Sequence, residues 1–333
     1  MRFGVIGGGS WGTSLGNVLS INKHQVVIYT NREEVKEDIN ASHMNSRYFP
    51  FPHKLEKSLL ATTSLNEALN DVEGIIIAVP TSSYREVLEK INAILDHKVY
   101  FISVGKGFDP ITHQRLSSLI REVIPEEKRY PVISLIGPSF AKEVLQKQLT
   151  CITAAGLDEK SLKVVQKAFS NDFFRVYINE DEIGAEYAAA IKNVIAIASG
   201  IAVGLGYKDD PKAALVTRGL HEVSKFGVLK GGKENTFFGL SGVGDLILTC
   251  SSLNSRNFQA GLQIGKENTS ANFLKANKST VEGVKTCKVI YDEAKKMKVE
   301  MPIVEAVYQV LYLDKSPKDV VKNLMLRSLK SEF

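Results

Sequence analysis

A chain of 333 residues is long enough for two domains, and 44% hydrophobic with 24% charged residues is the balance of an ordinary soluble protein with a sizeable core. A formal net charge of +5, with acids and bases mixed along the chain, is too mild for a nucleic-acid partner and suits a small anionic substrate. Three scattered cysteines without a CxxC pair argue for reduced thiols in a cytosol. The six histidines lack HxxxH or HExxH spacing, so no metal site is expected. No uncharged apolar run reaches the roughly 18 residues of a membrane helix. A first strand that starts at once argues against a signal peptide.

In chain order, "RFGVI" reads as a short buried strand, and "GGGSWGTSLG" follows it with Gly7, Gly9 and Gly12 in G-x-G-x-x-G spacing. Leu15, Val18 and Leu19 then fall at helical spacing, so the glycines lie between a strand and a helix. In that setting Gly7 permits the tight turn, Gly9 lets the backbone approach a pyrophosphate, and Gly12 lets the helix pack on the sheet. The helix N-terminus offers unpaired N–H donors to an anion, and Ser10 adds a hydroxyl. The second strand, "QVVIYT", ends at Thr30-Asn31-Arg32 with no carboxylate where an NAD ribose would find one. Arg32 suits a 2′-phosphate instead, which favours NADPH, while Glu33 and Glu34 leave NADH open.

A polar helix is expected at about 32–42, then a loop, "HMNSRYFPFP". Strands follow at 74–80, 99–104, 130–137, 150–156 and 173–179, with amphipathic helices between them, a doubly wound α/β pattern. From about 181 helical patterns take over: one long Ala-rich helix, then 209–230, 256–266, 283–297, 302–313 and 317–328. Ser316, Pro317 and Asp319 have the order of an N-cap, an N1 proline and a first-turn acid. We therefore place a dinucleotide-binding domain at 1–180 and an all-helical second domain at 181–333.

Within the long helix, Lys192 has Ala185, Ala188, Ala189, Ile195, Ala196 and Ser199 on its own face. A lysine with no polar stripe around it is expected to face a cleft, near an anion, where it is able to pass a proton to a carbonyl oxygen. Asp245, set among apolar residues in "GLSGVGDLILTCSSLNSRNF", needs a cationic partner, and Lys192 is the candidate. Ser255, Arg256 and Asn257 open a helix, and Arg256 is suited to a phosphate. Lys106, between Gly105 and Gly107, should stand at the carboxyl edge of the sheet. In "GPSFAKEV", Gly137 and Ser139 lead into a helix N-terminus. Glu282 sits just before a helix, either to cap it or to reach a cofactor.

Taken together, these motifs resemble the bacterial-type NAD(P)-dependent glycerol-3-phosphate dehydrogenases over the whole chain, through "GGGSWGTSLG", "SVGKGF", "GPSFAKEV", "AIKNVIAIASG", "GLSGVGDLILTCSSLNSRN", "VEGV" and "LMLRSLKSE". The resemblance implies a Rossmann-like, mostly parallel sheet followed by a helical domain, a cytoplasmic location, and interconversion of dihydroxyacetone phosphate and sn-glycerol 3-phosphate for glycerophospholipid synthesis. It implies Lys192 as the proton donor and acceptor. It implies cofactor contacts from Ser10, Trp11, Arg32, Tyr48, Lys106, Ala141, Arg256, Thr280 and Glu282. Substrate contacts would come from Lys106, Gly137, Ser139, Lys192, Asp245, Ser255, Arg256 and Asn257. A small phosphorylated substrate is expected, with no nucleic acid and no membrane insertion, and a homodimer is compatible with it. The chain departs from the family pattern at Ala189, often Gly, at Ser328, usually Pro, and after "YFP". A 3-hydroxyacid or 6-phosphogluconate-type dehydrogenase shares the domain order, and a silent nucleotide sensor would need the glycines but not Lys192 or Asp245.

Overall fold

The computed structural model describes residues 1–276, 281–329 and 331–332. They form two compact units, Met1–Glu186 and Tyr187–Phe333. The division falls inside the long helix rather than ahead of it, because that helix begins in the first unit.

The first unit is built on one eight-stranded sheet: β1 (Arg2–Ile6), β2 (Gln25–Tyr29), β3 (Leu59–Thr62), β4 (Gly74–Ile77), β5 (Tyr100–Ser103), β6 (Ile133–Ile136), β7 (Thr150–Gly156) and β8 (Phe174–Asn179). The order is β3-β2-β1-β4-β5-β6-β7-β8, parallel throughout except for the antiparallel β6–β7 pair. Strand order reverses between β1 and β4, the switch point at whose carboxyl ends ligands of such sheets bind. The central strands are apolar without alternation because both faces are covered. Phe3, Val5, Ile76 and Ile102 pack on one face with α1 (Ser10–Ile21). Ile6, Ile75, Ile77 and Phe101 pack on the other, with α2 (Tyr84–Ile94) and α3 (Leu116–Val123). A further helix, α4 (Glu159–Phe169), buries Leu162, Val165 and Phe169 on the first face.

Sequence reading misses β3 and the short helix Leu65–Leu69 behind it. β3 is a four-residue edge strand whose Leu60 is exposed, too short to show a period. The polar helix expected at about 32–42 is Glu33–Glu37, continued as a wider turn over Asp38–Ser42.

The second unit is helical among the described residues. It takes in most of α5 (Glu182–Gly204), then α6 (Asp209–Leu229), α7 (Asp245–Ser251), α8 (Arg256–Glu267), α9 (Glu282–Met297), α10 (Pro302–Tyr312) and α11 (Pro317–Met325) as its longer helices. Ser316 caps α11 by accepting from the Asp319 N–H, with Pro317 in the first turn, as its sequence indicates. The length and mean hydropathy of α5, 1.5, would let it cross a membrane, yet 83% of its most apolar window is buried inside the protein. Part of that burial comes from α8. A Cβ at Gly200 would strike the Phe258 carbonyl, and one at Gly261 the Ile197 carbonyl. The two backbones touch through glycines, which sets the start of α8 against the middle of α5.

Candidate active site

In the first unit the chain leaves β1 through Gly7, whose φ of 123° favours glycine. A Cβ on Gly12 would collide with the Gly7 carbonyl, so α1 starts directly on the turn. Gly9 is the N-cap of α1 and contributes no side-chain cap, and the first turn holds no acid. Nothing lies within 4 Å of where a Gly9 Cβ would stand. The helix N-terminus therefore keeps its N–H donors and partial positive charge for a ligand. Ser10 and Trp11 open the helix, and the buried Trp11 Nε1 has no hydrogen-bond partner among the described residues. An uncapped, acid-free N-terminus beside cleared space and an orphaned indole donor fits the pyrophosphate of a dinucleotide.

Sequence reading misses Asn45, which lies in a loop with no periodicity to mark it. It is fully buried, and its Nδ2 donates to the Gly8 carbonyl at 3.1 Å and to Thr13 Oγ1 at 2.8 Å. The segment carrying Arg47 and Tyr48 is thereby pinned to the glycine loop. Beyond β2, Arg32 is partly exposed and pairs with Glu34 at 3.6 Å. We expect Asn45→Ala to keep the fold and weaken dinucleotide binding about five-fold, since two buried hydrogen bonds that shape the loop are lost. Quenching of Trp11, the only tryptophan, measures it, and unchanged affinity would show that the pin is dispensable.

Further along the sheet, Lys106 lies in the loop after β5 and donates from Nζ to the Gly137 carbonyl at 3.0 Å. Ser139 Oγ donates to the same oxygen at 3.2 Å. A Cβ on Gly137 would come within 2.8 Å of the Ile152 backbone. The helix after Ser139 is the single turn Ala141–Leu145. Its N-cap is Phe140, which has no side-chain cap bond. The Ala141 carbonyl accepts from Ser14 Oγ of α1 at 2.8 Å. The Lys106 loop is itself held by Tyr84, whose buried hydroxyl donates to the Ile77 carbonyl and accepts from the Gly105 N–H, both at 3.0 Å.

In the second unit Lys192 is 4% exposed and forms an ion pair with Asp245, the partner expected for it. It also donates to Thr249 Oγ1 at 2.7 Å. Asp245 and Thr249 share a face of α7 because they are four residues apart. Thr249 in turn donates to the Asp245 carbonyl at 2.6 Å. A buried ammonium survives only when paired and hydrogen-bonded, and here both conditions are met. The neighbouring Cys250 thiol is pushed up to about 12 by burial, so it stays protonated and inert.

The residue after the lysine completes the site. Asn257 donates from Nδ2 to Asn193 Oδ1 at 3.0 Å and accepts from the Gly283 N–H at 2.9 Å. Ser255, buried, is the N-cap of α8 and accepts from the Phe258 N–H at 3.2 Å, leaving exposed Arg256 as the first helical residue. Glu282 does not cap α9: it is the first residue inside it, and Val281 holds the cap position. Thr280 lies outside the described residues.

The N-terminal part of the NAD-dependent glycerol-3-phosphate dehydrogenase family matches residues 2–162, and its C-terminal part matches residues 181–322. A glycerol-3-phosphate dehydrogenase (NAD(P)+) of Bacillus cytotoxicus is 46% identical over 328 residues, 98% of this chain and 96% of that one. One from Ligilactobacillus salivarius is 45% identical and covers 100% of this chain and 99% of its own. The crystal structure of glycerol-3-phosphate dehydrogenase from Coxiella burnetii superposes with a TM-score of 0.91 at 31% identity, covering 98% of this chain and 99% of that one. With these matches running the length of both units, the chain belongs to the NAD-dependent glycerol-3-phosphate dehydrogenase family.

Proposed function

We propose that this protein interconverts dihydroxyacetone phosphate and sn-glycerol 3-phosphate with NADPH or NADH, in the cytoplasm, in supply of glycerophospholipid synthesis. The observation that carries the reading is the buried Lys192 ammonium held by Asp245 and Thr249. A nicotinamide dinucleotide held at the start of α1 would supply the hydride. Lys192 keeps a proton at Nζ and gives it to the C2 oxygen of the ketone as negative charge develops there. Asp245 compensates the ammonium, and Thr249 limits the directions in which it points. Arg256 takes the substrate phosphate, with Asn257 fixing the helix start from which it extends. In the first unit the start of α1 holds the pyrophosphate, and Lys106 contributes positive charge beside Gly137.

The decisive assay follows NADPH and NADH absorbance with dihydroxyacetone phosphate, against a panel of carboxylate-bearing 2- and 3-oxo acids. Turnover confined to the phosphate ester supports the reading, whereas turnover only of the acids would transfer the chain to the hydroxyacid class. Arg256→Ala should raise KM for dihydroxyacetone phosphate about ten-fold, the weight of one charge-assisted contact. Unchanged KM and kcat would place the phosphate anchor elsewhere.

A further inference from the structure

Two carboxylates are buried on one face of α5. Glu182 and Glu186 are 1% and 7% exposed and stand one helical turn apart, so their charges repel unless cations share them. Two arginines, one just before α3 and one within it, do so. Arg115 Nη1 lies 2.7 Å from Glu186 Oε2 and 3.2 Å from Glu182 Oε2, and Arg121 Nη2 lies 2.6 Å from Glu182 Oε1. Glu186 also accepts from the Ser117 N–H at 3.1 Å, the Ser117 hydroxyl at 2.7 Å and the Ser134 hydroxyl at 3.0 Å. It thereby caps α3, whose N-cap residue, Arg115, supplies no side-chain cap. The whole network lies in the first unit. Arg115 is also the foot of the Lys106 loop. Its backbone bridges Phe108, two residues after Lys106, and the Asp109 N–H donates to the Gln114 carbonyl at 3.0 Å. Inside the loop the buried Asp109 carboxylate accepts from the Thr112 N–H and hydroxyl at 3.0 and 2.6 Å. On its other side the loop is held by Tyr84 at Gly105. Lys106 stands between two fixed points, and the downstream one is fastened to α5.

We propose that Arg115 and Glu186 are positioning residues for Lys106, fixing the loop from which its ammonium holds the substrate. The proposal rests on the substrate reading above. A buried ion network rarely adds stability over apolar side chains of the same volume, so its desolvation cost points to a geometric task. Apolar packing would let the loop slide. A guanidinium hydrogen-bonded to two carboxylates, one of which caps the next helix, permits a single register. Lys106 Nζ, 3.0 Å from the Gly137 carbonyl, is then in place before substrate arrives, and no affinity is lost to ordering the loop.

Glu186→Gln keeps an acceptor for Ser117 but turns an amide N–H₂ group toward Arg115. It should raise KM for dihydroxyacetone phosphate about five-fold and change kcat by less than about two-fold. NADH affinity, read from Trp11 fluorescence, should stay unchanged. Arg115→Met combined with Glu186→Leu exchanges the buried pair for apolar side chains, so it should keep the fold by circular dichroism and show the same split. In a Lys106→Ala background neither change should lower kcat/KM further, because the residue they act through is gone. An undiminished effect in that background, an unchanged KM in a folded variant, or an equal loss of NADH affinity overturns the proposal alone. Absence of dihydroxyacetone phosphate turnover by the unmodified protein overturns the substrate reading and this proposal with it.

Discussion

Lys192→Ala should lower kcat about 100-fold or more while leaving NADPH affinity close to that of the unmodified protein. The lysine is the group placed to give a proton to a developing negative charge, with Asp245 as its ion-pair partner and Thr249 accepting its second hydrogen bond. Truncation also leaves the Asp245 carboxylate buried without its cation, which costs several kcal/mol and threatens the fold. A loss of activity alone is therefore ambiguous, and two controls separate the readings. Lys192→Ala combined with Asp245→Asn removes the stranded charge, so it should recover stability but not turnover. A small primary amine added to the single variant should restore part of kcat, with a pH profile that follows the amine's own pKa. Full turnover in Lys192→Ala, measured by dinucleotide absorbance with dihydroxyacetone phosphate, would remove the lysine from the mechanism.

That lysine was legible because its surroundings were. Ala188, Ala189, Ile195 and Ala196 are all buried, and a charge in such a stripe demands a partner wherever the fold supplies one. The central strands were legible for a related reason. A strand covered on both faces is apolar at every position, as in Gly74–Ile77, and β7 matches its expected span, residues 150–156. β3 was not legible because an edge strand of four residues, LLAT, is too short to show a period. Thr249 and Asn45 were not legible either, for they act through partners far away in sequence. Thr249 meets Lys192 only because α7 lies beside α5, and Asn45 meets Gly8 only because its loop folds back on the glycine turn. Of the two readings open for Glu282, capping is the one the backbone does not take: Glu282 is the first residue inside α9, and Val281 holds the cap position.

Glu222 should make the protein lose stability as pH rises from about 4.5 to about 7. This carboxyl lies in α6, is 6% exposed, and accepts from the Ile303 and Val304 N–H groups at 2.8 and 3.3 Å. It is the cap of α10, whose own N-cap residue, Met301, supplies none. Those two donors, with Arg218 and Arg327 nearby, favour the anion, but burial outweighs them and pushes the group up to about 7. In the unfolded chain the same group ionises near 4.5. Below that pH it is protonated in both states and its contribution to stability is complete. Between the two values the unfolded chain has released its proton and the folded one has not, so unfolding becomes easier with each pH unit. Above about 7 the loss levels off, at about 3 kcal/mol in total. Glu222→Gln keeps the volume and an acceptor oxygen but cannot ionise. Urea unfolding followed by far-ultraviolet circular dichroism, run on both proteins from pH 4.5 to 8, isolates the effect because other titrating groups cancel in the difference. The Gln variant should gain on the unmodified protein from pH 4.5 to about 7 and hold that gain to pH 8. A difference that stays flat would mean that the two N–H donors hold Glu222 ionised throughout, and that helix capping outweighs the cost of burying the charge.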